Sequence, residues 1–214
     1  GLYSTWSTIL PLWILRGSSV RRIVAVRGML APGPMRQGAL KKRAFLAAMK
    51  LLGCFNGVEF QATNPEEVAD IRRWIGASAV VHEVQNLARK AANESPRTLP
   101  KRTGELRLVS LARIAVEKHT LSAIERLQQV RGRVRFDLYG TIYDRSYHEQ
   151  CLQAMAHLPP EVVVQWHGQL PNEQASAAIA AAHFLYMPSV GENFGHTMLE
   201  ALTAGRPMII SNRT

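Results

Sequence analysis

Apolar and polar positions along the chain alternate between two periods. Short runs rich in β-branched and aromatic residues, at 23–27, 58–62, 79–83, 106–111, 134–139, 161–166, 184–187 and 207–211, read as strands. Between them lie segments of helical period. Residues 37–52 form a basic amphipathic pattern, and residues 118–130 place Leu121, Ile124 and Leu127 on one side. Residues 145–158 line up Tyr147, Cys151, Met155 and Leu158, and residues 172–182 are rich in alanine. A further helix is predicted over 197–204. Asn64-Pro65-Glu66-Glu67 supplies an N-cap, a first-turn proline and two acids, so a helix is predicted from there to about Ile75. Strand–helix alternation at this spacing implies parallel sheets covered on both faces. The rhythm breaks over 85–104, where Asn86, Asn93, Ser95, Pro96, Pro100 and Gly104 read as a linker. The expected architecture is therefore α/β, with two doubly wound, Rossmann-like parallel-sheet domains over 1–96 and 105–214, joined by 97–104. Gly1 at the start and a stop at Thr214 just after an apolar run are what a fragment would show, with both domains incomplete at the chain ends.

Composition sharpens this picture in one respect. The 214 residues are 47% hydrophobic and 20% charged, a globular balance that excludes disorder as the main state. The net charge is +10, unevenly spread. Residues 1–100 carry 14 basic and 6 acidic side chains, whereas the remainder carries 12 and 10. Nine basic residues and no acid lie between Arg16 and Lys50. That segment expects an anionic neighbour such as a nucleic acid, a membrane face or a phosphorylated substrate. Cys54 and Cys151 are read as packed core thiols. The apolar run 9–15 is too short to span a bilayer, and it has no basic leader. A cytoplasmic location is expected.

Ligands of doubly wound sheets bind beyond the carboxyl ends of the strands. Three places there carry candidate chemistry. The first is Pro188-Ser189-Val190-Gly191-Glu192-Asn193-Phe194-Gly195, leading into His196-Thr197-Met198-Leu199-Glu200. A glycine turn opening a helix suits phosphate or sugar hydroxyls, and carboxylates accept from vicinal diols. Glu59 and Glu67, like Glu117 and Glu125, are also eight residues apart and read as solvated charges. The setting of Glu192 and Glu200, not their spacing, distinguishes them. The second place holds Arg113 and Lys118, either a diphosphate clamp or two solvated cations. The third is the pair Gly140 and Gly168, each just past a strand. They admit a nucleoside against the backbone or simply make turns. His196 contacts a phosphate or sugar, or is merely structural, and His167 lies near the same ends. The other histidines converge on nothing. There is no Asp-x-Asp pair, P-loop, dinucleotide fingerprint or nucleophile elbow.

Taken together, these residues resemble the retaining GT-B glycosyltransferases of family four, the glycosyl transferases group 1. The family's Glu-x7-Glu segment is similar to the run from Glu192 to Glu200, followed here by Glu-Ala-Leu-Thr-Ala-Gly-Arg-Pro. Its Gly-Arg-x-x-x-x-Lys-Gly element is similar to Ala112–Arg113 and Lys118–His119, with both glycines replaced. Gly1-Leu2-Tyr3-Ser4, Arg27-Gly28-Met29-Leu30 and the Lys41-Lys42 helix resemble the acceptor-side domain of members that build cell-surface polysaccharides. The resemblance implies a GT-B fold and transfer of a hexosyl group from a nucleoside-diphosphate sugar to a saccharide, with a lipid-linked acceptor expected. In this reading Glu192 holds the donor sugar, Glu200 the ribose diol, and Arg113 and Lys118 the diphosphate. Donor contacts are implied at Asn193, Phe194, Gly195, His196, Thr197, Met198 and Leu199, partly through backbone N–H groups, with Gly140 and Gly168 behind them. Neither a cofactor nor a metal is expected. The basic first half is expected to face anionic lipid, in surface polysaccharide, lipopolysaccharide or exopolysaccharide synthesis. The family's Gly-rich loop and acceptor-domain histidine would precede Gly1, and its crossing terminal helix would follow Thr214. The alternative is a basic nucleic-acid-binding protein without activity, supported by the charge and by Trp6, Trp13 and Trp74, but lacking any recognisable binding motif. Another GT-B enzyme, an epimerase or a phosphorylase, has no signature here.

Overall fold

The computed structural model describes residues 1–36, 38–87, 98–192 and 195–212. The chain divides into two compact units, Gly1–Leu87 and Ala88–Thr214. Of the expected linker, residues 98–104 contain neither helix nor strand, and residue 97 lies outside the described residues.

In the first unit a single π-helical turn, Thr5–Ile9, runs into α1 (Leu10–Ile14). Strand β1 (Arg22–Ala25), α2 (Pro32–Arg36), α3 (Ala39–Leu51), β2 (Val58–Ala62), α4 (Pro65–Trp74) and β3 (Val80–Glu83) follow. The three strands form a parallel sheet in the order β1-β2-β3. Period-2 burial is plain in β2, where Val58, Phe60 and Ala62 enter a core with Leu46, Met49 and Ile71. Helix α4 starts where the sequence predicts: the Asn64 side chain accepts from the Glu67 N–H, acids fill the first turn, and Arg72 and Arg73 fill the last. The helix expected over 37–52 is shorter, because Gly38 takes a φ of +67° just before α3. Residue 37 lies outside the described residues.

Two of the supposedly solvated glutamates are otherwise engaged. Glu67 is only 5% exposed and accepts from the N–H and hydroxyl of Thr63 at 2.7 and 2.8 Å. A buried carboxylate persists only when its oxygens are satisfied. Glu59 accepts a two-pronged bond from Arg21 at 2.8 and 2.6 Å and contacts His82 Nε2 at 2.5 Å. Hydrogen bonds first from Arg21 and then from His82 hold the Glu59 carboxyl down at about 2. This bonding favours the ionised form above the ordinary carboxylate range and is lost as pH falls through about 2. An NMR titration of Glu59 is expected to show no midpoint between pH 3 and 5.

The second unit is a five-stranded parallel sheet in the order β6-β5-β4-β7-β8. Its elements are β4 (Glu105–Leu111), a 3-10 turn at Val116–Lys118, α5 (Thr120–Leu127), β5 (Arg133–Tyr139), α6 (Arg145–Ala156), β6 (Val162–Trp166), α7 (Asn172–Ala180), β7 (Phe184–Met187), α8 (His196–Thr203) and β8 (Met208–Ile210). Neighbouring residues of β4 show the double winding. Leu108 joins a core with Ile124, Leu127, Tyr147 and Cys151 from α5 and α6. Val109 joins one with Ile179 and Ala201 from α7 and α8. Both cysteines are free and buried, and burial pushes the Cys151 thiol up to about 11. Among the described residues no helix is long and apolar enough to cross a membrane.

Candidate functional site

The order of the second sheet fixes where a ligand can enter. The chain builds β4, β5 and β6 outward on one side and then crosses back to place β7 on the other side of β4. The loops after β4 and β7 diverge from this switch point and leave a crevice at the carboxyl ends. Three contacts join the two loops. The Val190 N–H donates to the Glu117 carbonyl at 3.0 Å. The Thr197 hydroxyl, in the first turn of α8, donates to the Leu111 carbonyl at 3.4 Å. Lys118 Nζ donates to Glu192 Oε1.

That ion pair is the chemical centre of the crevice. Both side chains are only 15% exposed, so their attraction is screened less than that of surface pairs. Ser189, itself 1% exposed, donates its hydroxyl to the same oxygen at 3.0 Å. The Ser189 carbonyl in turn accepts from the Ser211 hydroxyl at 2.5 Å, which ties the loop to the end of β8. Glu192 Oε2 has no hydrogen bond to any described residue, and Lys118 retains two further N–H groups. The pair thus keeps one acceptor oxygen and two N–H groups unengaged by described residues. Ser189 was read only as part of the loop's setting, and its contact with Glu192 three residues on carries no sequence signal of its own.

Arg113 is held elsewhere. Its guanidinium bonds Glu117 at 3.2 Å and lies 4.8 Å over the Tyr143 ring. The Arg113 and Glu117 side chains are 51% and 37% exposed, so releasing Glu117 for a phosphate costs little. Glu200 is half-buried one turn into α8, and no described residue hydrogen-bonds its carboxylate. Gly195 caps α8 with a φ of +70°. Its carbonyl takes the N–H groups of Met198 and Leu199 at 2.8 and 3.3 Å. Those two N–H groups therefore belong to the helix, and the Met198 side chain packs toward the Val109 core. His196 is exposed at the helix start. Asn193 and Phe194 lie outside the described residues.

The two glycines meet each other, with the Gly140 N–H donating to the Gly168 carbonyl at 2.8 Å. A Cβ on Gly140 would stand 2.0 Å from the Ala112 carbonyl oxygen, so this glycine is required by the chain itself, where the loop after β4 crosses the end of β5. Gly168 has open space, with only Trp166 at 4.0 Å. His167 leaves the crevice chemistry. It bonds Asp137 at 2.6 Å and stacks on Tyr139 with centroids 4.7 Å apart. Burial raises the Asp137 carboxyl, but bonds from Arg135 and His167 outweigh it and leave it below its usual range. Among the described residues no group of three His, Cys, Asp or Glu side chains could hold a metal ion.

His119, next to Lys118, takes a φ of +52°, a backbone that suits glycine. Its side chain is exposed. His119→Gly is expected to raise stability by roughly 0.5–1 kcal/mol, since relief of the left-handed strain exceeds the added unfolded-state entropy. In a chain of this size that is a rise in Tm of about 1–4 °C, readable by scanning calorimetry.

Comparison with known proteins places this geometry. Among curated protein sequences none matches. Among solved structures, HepE of Anabaena, crystallised with UDP and glucose, aligns with a TM-score of 0.75 at 15% identity over 98% of this chain. Sucrose-phosphate synthase of Thermosynechococcus elongatus aligns at 0.63, with 19% identity over 94% of this chain and 52% of its own. The lipopolysaccharide outer core galactosyltransferase WaaB, in its apo form, aligns at 0.59, with 18% identity over 95% of this chain and 59% of its own. These likenesses establish the fold, two parallel-sheet units of the GT-B class. The chain spans 57% of the length of HepE. A family model described as glycosyl transferases group 1 matches residues 92–214, more than half of the chain and the whole of the crevice just described. The chain belongs to the glycosyl transferases group 1.

Proposed function

We propose that this chain carries the donor site and part of the acceptor side of a retaining glycosyltransferase, which moves a hexosyl group from a nucleoside-diphosphate sugar to a saccharide acceptor. The Lys118–Glu192 pair at the switch point carries the reading. It sets a cation for phosphate and a carboxylate for hydroxyls side by side, 15% exposed each, at the place where such folds bind ligands. HepE, with the same fold, has been crystallised with UDP-glucose, which supports this class of donor.

The chemistry follows from the residues. As the bond between anomeric carbon and phosphate oxygen breaks, negative charge grows on the β-phosphate. Lys118 lies ready for it, Arg113 joins by exchanging Glu117, and the first turn of α8 adds its positive end. These groups stabilise the leaving diphosphate with no metal required. Glu192 Oε2 accepts from donor-sugar hydroxyls, and Glu200 accepts from the ribose diol. No side-chain nucleophile is invoked. The acceptor hydroxyl attacks from the face the diphosphate leaves, passing its proton to the departing β-phosphate oxygen, through an oxocarbenium-like state, and the anomeric configuration is retained. The uneven charge of the first half supports a lipid-linked acceptor at an anionic membrane surface, in the assembly of lipopolysaccharide or another surface polysaccharide. The intact protein, given donor and acceptor in EDTA, is expected to form a product whose anomeric proton coupling matches that of the donor. An inverted product, or activity only with added divalent metal, would overturn the mechanism.

A further inference from the structure

Only two non-glycine residues among those described hold a φ in the left-handed region, Arg27 at 54° and His119 at 52°. His119 adjoins the lysine of the donor crevice. Arg27 lies in the first unit, two residues past the end of β1. A side chain in this conformation is strained and persists only where its surroundings impose it.

Glu67 imposes it. This buried carboxylate accepts the N–H of Gly28 with one oxygen and the N–H and hydroxyl of Thr63 with the other. One side chain thereby ties the turn after β1 to the turn after β2. Gly28 follows Arg27 with a φ of +72°, so two successive left-handed residues reverse the chain, and the Arg27 side chain stands exposed at the carboxyl ends of the strands. No described residue hydrogen-bonds or ion-pairs with it, nor with Arg16, Arg36, Lys41 or Lys50, whereas the other four cations of the basic segment are engaged. Arg21 bonds Glu59, Arg22 the Asn56 carbonyl, and Lys42 the Pro34 carbonyl, while Arg43 lies over Trp74.

We infer that Arg27 is a ligand for the phosphate or diphosphate of the acceptor, presented by a strained turn that Glu67 holds in place. A guanidinium fork matches phosphate oxygens in pairs, and the carboxyl ends of parallel strands are where ligands of such sheets bind. The inference rests on the proposed glycosyl transfer. Because Lys118 and Arg113 serve the donor diphosphate in that reading, the anion at Arg27 belongs to the acceptor.

The test pairs Arg27→Gly and Arg27→Lys with the wild-type protein, each saturated with UDP. Glycine relieves the strain, so Arg27→Gly is expected to melt at or above the wild-type temperature. Its affinity for farnesyl diphosphate is expected to fall at least tenfold, and Arg27→Lys to fall in between. Farnesol is expected to bind all three equally weakly. Binding to phosphatidylglycerol vesicles, which draws on the whole basic segment, is expected to change less than twofold. Wild-type-like binding of farnesyl diphosphate by Arg27→Gly, or no binding by the wild type, would overturn the proposal. So would a parallel loss on vesicles, which would make Arg27 a headgroup contact. The preceding UDP titration reads the donor site separately, so its failure is distinguishable from failure at Arg27.

Discussion

Lys118→Ala is expected to lower the transfer rate by about 10²–10³, the usual effect of removing one preorganised donor to a leaving group. Two effects combine. The β-phosphate loses its nearest cation, and Glu192 loses its counter-charge in a crevice where each partner is 15% exposed. Ser189 remains bonded to Glu192, but a hydroxyl does not neutralise a carboxylate. The uncompensated charge then repels the incoming diphosphate, so UDP affinity falls as well. The double variant Lys118→Ala/Glu192→Ala separates the two effects. UDP affinity recovers in part because the repulsion is gone, while transfer stays low because the donor is still missing. Steady-state kinetics and UDP titration on the wild type and the two variants check this. A single variant with undiminished rate would remove Lys118 from the mechanism.

Glu200→Ala is expected to weaken UDP binding by about 10- to 100-fold while leaving Tm within about 1 °C. The affinity loss corresponds to one hydrogen-bonded contact with a charged group, about 1.5–3 kcal/mol. Stability should hold because no described residue bonds this carboxylate, which is half-buried in α8. The role is specific enough to test by subtraction. The wild type is expected to prefer UDP over its 2′-deoxy analogue, and the alanine variant to bind both alike. A variant that still discriminates would place the ribose elsewhere.

Much of the fold was legible because strand and helix periods are local. β2 and β7 fall at 58–62 and 184–187, as the alternation predicts. The misplaced boundaries have distant causes. β1 was expected over 23–27 but ends at Ala25, because Glu67, 40 positions beyond Arg27, pulls the Gly28 N–H into a turn. α5 was expected from Lys118 but starts at Thr120, since the left-handed His119 interrupts the helical path. The short helices α1 and α2, five residues each, carry too few turns to show a period.

The site divides in the same way. Glu192, Glu200 and Lys118 were visible as residue types in a telling setting. That Lys118 and Glu192 touch across 74 positions follows from the strand order, which no local window contains. Arg113 was expected beside Lys118, yet Glu117, four residues on, takes it. Gly140 was read either as room for a nucleoside or as a turn, and the neighbour that demands it is the Ala112 carbonyl.

The central claim is that the crevice between the loops after β4 and β7 binds a nucleoside diphosphate. Calorimetric titration with UDP, GDP, ADP and a short oligonucleotide, without metal and at two salt concentrations, tests it most directly. Selective binding of one nucleoside diphosphate, abolished in Lys118→Ala/Glu200→Ala, is the predicted result. Binding of the oligonucleotide alone, falling steeply with salt, would contradict it and make the basic first half the working surface of the protein.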